Sequence, residues 1–167
     1  MSKKLLRAKI TGTGSALPEK IVTNADLEKM VDTSDEWITV RTGIKERRIA
    51  VEGEYTSTFA VAAARRAIEM AGIKAEDLDL IILGTITPDF PFPATSCIIQ
   101  HELGAVNATA FDISAACTGF VCGLSIAEKY ISTGSRGPLQ YVLEYAEEYV
   151  PASPDKEEES KEAQEIK

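Results

Sequence analysis

The stretch AFDISAACTGF, residues 110 to 120, holds the side chain best placed for chemistry. An apolar, β-prone segment gives way to small residues, and Cys117 follows just before the Gly-led amphipathic run GFVCGLSIAEKYISTG. A cysteine where a buried strand meets a helix faces backbone N–H groups that stabilise its thiolate and sharpen it as a nucleophile. The same N–H groups can hold the oxyanion formed when an acyl carbonyl is attacked. Ala115, Ala116 and Gly119 leave room for an acyl thioester to approach. The alternative is that Cys117 is a small buried hydrophobe, as free cysteines commonly are. The only histidine, His101, lies in IIQHELG, on a helical stretch ahead of the strand that delivers Cys117. It reads as an ordinary surface or helix-end residue, favourable near a helix C-terminus.

The elements that would position Cys117 alternate in type. LLRAKITGTGSALP alternates and then breaks at Gly12, Gly14 and Pro18, predicting a strand that runs into a loop. TNADLEKMV starts with Thr23 or Asn24 as a cap, and TSDEWITVRTG sets Thr33 three residues before Glu36, a capping-box spacing. Both predict short helices. TSTFAVAAARRAIEMAG predicts a longer helix with Phe59, Ala63, Ala67 and Met70 on one face and Gly72 as its stop. DLIILGTI predicts a strand buried on both faces, PATSCIIQHELG a helix ending at Gly104, ATAFDIS a strand, and the run after Cys117 a helix ending at Gly134. Strands alternating with helices of this length mean βαβ units in an α/β fold with a mostly parallel sheet.

Composition narrows the function. At 167 residues the chain has room for one domain with a real core, and 44% hydrophobic residues suit a globular protein. No apolar run nears the ~18–20 residues of a membrane span, and the basic start MSKKLLRAKITGTG lacks the apolar stretch of a signal peptide, so a cytoplasmic protein is expected. Three cysteines at positions 97, 117 and 122 fit free thiols in a reducing compartment and no metal-ligand spacing. Net charge is −8, and residues 138–167 carry nine acids against three bases, so −6 of it sits there and −2 in the rest. That balance argues against a nucleic-acid partner, although Arg41, Lys45, Arg47 and Arg48 cluster locally.

Three motifs carry a resemblance. VDTSDEWITVRTGIKERRIA (31–50), FPATSC (92–97) and FDISAACTGF (111–120) resemble the β-ketoacyl-acyl-carrier-protein synthase III family, over roughly residues 5 to 134. The resemblance implies a thiolase-like fold and decarboxylative condensation of a short acyl-CoA, usually acetyl-CoA, with malonyl-acyl-carrier protein, starting fatty acid synthesis. It implies no tightly bound cofactor, with the CoA thioester arriving as substrate. Cys117 would accept the acyl group, and its own N–H would form half of the oxyanion hole. Trp37 would stack on the CoA adenine, with Thr33 and Arg41 at the nucleotide end; an aromatic face and a guanidinium suit that ligand. The competing readings are a core aromatic for Trp37 and a solvated charge for Arg41. Phe92 would reach into the neighbouring subunit's acyl pocket in a homodimer, unless Phe90 and Phe92 merely anchor their Pro-rich loop. Asp112 has no implied role beyond a structural hydrogen bond.

The family's condensation step needs a His and an Asn from the second half of a roughly doubled chain, and neither is expected here. The expected fold is therefore the N-terminal part of a thiolase-like domain over 1–134, βαβαβ with flanking helices and truncated. A divergent amphipathic segment, expected helical, would follow over 135–150, since Glu144 and Glu147 do not suit a strand buried on both faces. An acidic tail over 151–167, expected disordered, would end the chain. Two functions compete: an acyl-accepting enzyme that needs a complementary C-terminal chain to condense, and a non-catalytic module pairing with an intact synthase. A frameshift or fusion near Ser135 is a third origin for the changed composition.

Overall fold

The five residues of strand β3 (Leu80–Gly84) are buried at every position, which is what a continuous apolar run dictates when both sheet faces are covered. A computed structural model of the chain describes residues 7–133 and the backbone of 141–145. Strand β3 pairs in parallel with β4 (Thr109–Ile113) on one side and with β5 (Tyr141–Tyr145) on the other. Ile82 is in register with Phe111 and Leu143. Helix α4 (Thr95–Leu103) connects β3 to β4, and α5 (Gly119–Thr133) follows β4.

One sheet face packs on helix α3 (Thr56–Ala71) and α4. Ala60, Val61 and Ala64 of α3 meet Ile81 and Leu83 of β3 and Ile99 of α4, all in the core. On the other face Leu80 and Ile82 meet Ala127 of α5. Each buried Ile or Leu contributes about 1.5–3 kcal/mol, so this three-layer arrangement is the main source of stability. A separate antiparallel pair, β1 (Ile21–Thr23) and β2 (Glu46–Arg48), brackets two short helices, α1 (Asn24–Leu27) and α2 (Asp35–Thr42).

Several elements depart from the sequence prediction. Residues 141–145 form strand β5, not part of a helix. Pairing β5 with β3 satisfies a second row of backbone donors and acceptors on the most buried strand, and Tyr-Val-Leu is a β-favouring start. The remaining residues of the 135–150 segment and the acidic 151–167 segment lie outside the described residues. The predicted N-terminal strand is absent over 7–18; with β3 paired on both edges, this chain segment runs along α3 instead. Gly12 and Gly14 make that contact possible, because a Cβ at either would collide with the backbone carbonyl of Ala67 or Ala63. Arg66 donates to the Ser15 carbonyl, and the Thr13 amide contacts the Met70 sulfur at 3.3 Å. The core face of α3 consequently runs through Ala60, Val61 and Ala64, and the expected face of Ala63 and Ala67 lies under residues 12–14. Met70 itself is exposed. The βαβαβ unit is thus β3-α4-β4-α5-β5, one strand-and-helix step later than expected.

Candidate active site

Strand β4 ends at Ile113, and four residues later the chain presents Cys117 in a 3-10 turn spanning Ala116–Thr118. Ala116 takes a left-handed conformation, φ 43°, which costs an L-residue about 1–2 kcal/mol and is held by its surroundings. The Thr118 amide and hydroxyl both donate to the Ala115 carbonyl, at 3.0 and 2.7 Å, closing the turn. Cys117 is exposed, so the buried-hydrophobe alternative does not describe it. It sits in a single 3-10 turn that leads into α5, where the leading N–H groups have no intrahelical acceptor. Gly84 ends β3 directly beside Gly119, the first residue of α5. The Thr85 amide donates to the Ile113 carbonyl at 3.1 Å, joining the ends of β3 and β4 under the turn.

Asp112, five residues before Cys117, points to the neighbouring helix. Its carboxylate accepts the Thr95 and Ser96 amides, each at 2.9 Å. Helix α4 has Ala94 at its N-cap and no side-chain cap of its own, so β4 supplies the cap from outside. Thr95 is freed to accept the Asp89 amide through its hydroxyl at 2.8 Å, and the Asp89 carboxylate accepts the Ser57 amide at 3.1 Å. The loop carrying Phe90 and Phe92 is thereby fixed to α3 and α4. The Phe92–Pro93 peptide bond is cis, and Phe92 is 88% exposed. Phe92 therefore does not anchor its loop to the chain's own core.

Trp37 and Arg41 are one turn apart on α2, with the Arg41 guanidinium 4.4 Å from the indole centroid. Trp37 is 53% exposed, so the core-aromatic reading fails for it as well. A ring stacking on Trp37 uses the other indole face or displaces Arg41. The N-cap of α2 is Ser34, whose hydroxyl accepts the Trp37 amide at 3.0 Å, and not Thr33 as the spacing suggested. Adjacent hydroxyl residues differ by one step in register, and the extended backbone of Ser34 is the one that meets the helix end. Thr33 is half-buried just outside it. Trp37 and Arg41 come together; among the described residues no direct contact joins them to Cys117 or Phe92.

His101 occupies the last turn of α4 and lines a shallow pocket with Cys97, Gln100, Gly104 and Val106. The first turn of α4 is tied to Asp112 near the end of β4, whereas the Gln100 amide donates to the Ala105 and Ala108 carbonyls before β4 begins. His101 thus stands at the opposite end of the α4–β4 pair from Cys117. Among the described residues no group of three or more His, Cys, Asp or Glu could hold a metal ion. No described helix is long and apolar enough to cross a membrane.

Residues 111–145 match the family described as 3-oxoacyl-[acyl-carrier-protein] synthase III. The chain is 63% identical over 129 residues to the β-ketoacyl-[acyl-carrier-protein] synthase III of Caldanaerobacter subterraneus, a match covering 77% of this chain and 39% of that protein. The synthase III of Xylella fastidiosa is 59% identical over 134 residues, covering 80% of this chain and 41% of the relative. Among solved structures, 3-oxoacyl-[acyl-carrier-protein] synthase III from Aquifex aeolicus superposes with a TM-score of 0.77 at 52% identity, over 83% of this chain and 44% of that one. The priming β-ketosynthase of the R1128 polyketide pathway gives the same TM-score at 38% identity, over 87% and 44%. The architecture is therefore part of a thiolase-like fold, and the chain spans about two-fifths of the length of the curated relatives it matches. By these similarities the chain belongs to the β-ketoacyl-acyl-carrier-protein synthase III family.

Proposed function

We propose that this chain carries the acyl-accepting half of a synthase III reaction. The observation that carries the reading is the exposed Cys117 on a strained turn between β4 and α5. The Cys117 thiolate attacks the carbonyl of acetyl-CoA, and the leading N–H groups of the turn, its own among them, stabilise the oxyanion. The tetrahedral intermediate collapses to the acetyl–Cys117 thioester; CoA leaves as its thiolate and takes up a proton. Trp37 stacks on the adenine, and Thr33 and Arg41 lie at the nucleotide end. Phe92, projecting free of its own core, enters the acyl pocket of a second subunit in a homodimer. The substrate is a CoA thioester, the second substrate of the complete enzyme is malonyl-acyl-carrier protein, and the setting is cytoplasmic fatty acid initiation.

Condensation additionally needs a His and an Asn at the thioester. His101 is at the wrong end of α4 for this, so the reading assigns decarboxylative condensation to residues outside positions 1–167. The test is to incubate the pure chain with acetyl-CoA and malonyl-acyl-carrier protein and resolve the products. Acetyl enzyme without acetoacetyl product is expected. Steady formation of acetoacetyl product, surviving removal of contaminating synthase, would refute the division of labour.

A second reading is a non-catalytic partner of an intact synthase. Exposed Phe92, together with the edge of β4, which has no partner strand among the described residues, favours it. Absence of acetyl transfer together with co-purification with a synthase would select this reading.

A further inference from the structure

Asn24 is 2% exposed and sits where four elements meet. Its side-chain amide donates to Asp35 Oδ1 at 2.7 Å and to the Ile44 carbonyl at 2.8 Å, with Thr39 Oγ1 at 3.4 Å. Its carbonyl oxygen accepts Arg47 Nη2 at 2.8 Å. These partners fix the carboxamide orientation, because Arg47 can only donate whereas the Asp35 carboxylate and a backbone carbonyl can only accept. The Asn24 backbone amide donates to the Lys45 carbonyl at 3.1 Å. One residue thus ties the start of α1 to α2, to the segment after α2 and to β2.

The face of α2 that Asn24 grips matters. At about 100° per residue, Asp35 and Thr39 fall on one side of α2, and Trp37 and Arg41 fall nearly opposite. Asn24 therefore holds the back of the helix whose front carries the Trp37–Arg41 pair. Helix α2 has eight residues, of which Ile38 alone is buried, so apolar packing does little to fix its rotation. The Asp35 carboxyl is held below its ordinary range chiefly by the hydrogen bond from Asn24, which marks the contact as one to the charged form.

We propose that Asn24 is a positioning residue for nucleotide recognition, locking the rotation of α2 so that Trp37 and Arg41 present a preformed platform to the adenine end of a CoA thioester. This rests on the reading of Trp37 and Arg41 given above. Preorganised rings bind more tightly because less ordering remains to be done on binding.

Trp37 is the only tryptophan in the chain, so intrinsic fluorescence reports on this one site. The test compares the full chain with Asn24→Asp and Asp35→Ala. Asn24→Asp keeps the acceptor for Arg47 but turns the Asp35 contact into a repulsion. Asp35→Ala removes the same contact from an exposed position and keeps the measurement available should the first variant misfold. Titration with CoA is expected to quench wild-type Trp37 emission, and both variants should weaken the apparent Kd, Asn24→Asp by about tenfold, as expected for loss of a hydrogen bond to a charged group. The iodoacetamide labelling rate of Cys117 should not change, which distinguishes a local turn of α2 from general loosening. Wild-type Kd in both variants would overturn the inference. If CoA leaves wild-type emission unchanged, the nucleotide-platform reading falls, and acrylamide quenching of the ligand-free proteins decides the positioning claim. Greater Trp37 accessibility in Asn24→Asp would uphold it, and unchanged accessibility would overturn it.

Discussion

Gly84 at the end of β3 lies against Gly119 at the start of α5, and a Cβ on Gly84 would come within 3.3 Å of the Gly119 carbonyl carbon. That separation is tighter than ordinary side-chain contact, so a side chain at position 84 must push α5 away by a few tenths of an ångström. The helix that moves begins two residues after Cys117. Gly84→Ala is expected to slow acetylation of Cys117 by about tenfold, since small misplacements in a reacting geometry are costly. Gly84→Val should slow it further. The check is the acetylation rate by stopped-time mass spectrometry.

Asp112 supports the same region from the other side by accepting both Thr95 and Ser96 amides. Asp112→Ala leaves α4 without a cap and should cost about 1–2 kcal/mol, a drop of several degrees in Tm. Asp112→Asn keeps one acceptor oxygen but turns an NH2 donor toward the other backbone amide, so it should cost about as much as the alanine variant. Thermal unfolding followed by circular dichroism measures both.

The left-handed Ala116 makes an asymmetric prediction. Ala116→Gly relieves about 1 kcal/mol of strain but adds a similar unfolded-state entropy, so stability should stay within about 1 kcal/mol. Ala116→Val places a β-branched residue at positive φ and should destabilise by about 2 kcal/mol or more. Denaturant midpoints for the two variants separate these outcomes.

Acid should loosen the α1–α2 region before the rest. Asp26 is lowered from 3.8 to about 2, first by the Thr23 hydroxyl and then by the Thr23 amide, and Asp35 is lowered chiefly by Asn24. A depressed folded-state pKa stabilises the fold above the ordinary carboxylate range, and that stabilisation is lost as pH falls through the folded value. Trp37 emission should therefore change as pH falls from about 4 toward about 2, ahead of the far-ultraviolet signal. Thr23→Val should move the Asp26 transition upward toward its ordinary value, as read by carboxyl chemical shifts.

Much of this fold is legible because strand and helix periods differ along the chain. The apolar run at 80–84, the helix stopped by Gly72 and the helix stopped by Gly104 all stand where the sequence puts them. The misses have a common cause: which strand occupies an edge of β3 is a long-range choice. Alternation over residues 5–18 suggested a strand, yet β5 holds one edge of β3 and β4 the other. Glu144 counted against a strand at 141–145, but backbone pairing with β3 prevailed. At the site, the small residues around Cys117 marked the turn in advance. The φ of Ala116 left no trace, since no glycine stands there. Asn24 stood out only as a candidate cap, a place Thr23 takes, and its side-chain network left no trace because the partners lie 11 to 23 residues away.

The central claim is that Cys117 alone accepts the acyl group. The direct measurement is intact mass of the full chain after incubation with acetyl-CoA, beside Cys117→Ala, with peptide mapping of Cys97, Cys117 and Cys122. A single gain of about 42 Da, one acetyl group replacing a proton, is expected on Cys117 and should vanish in the variant. A gain that persists in Cys117→Ala, or none in either protein, would contradict it.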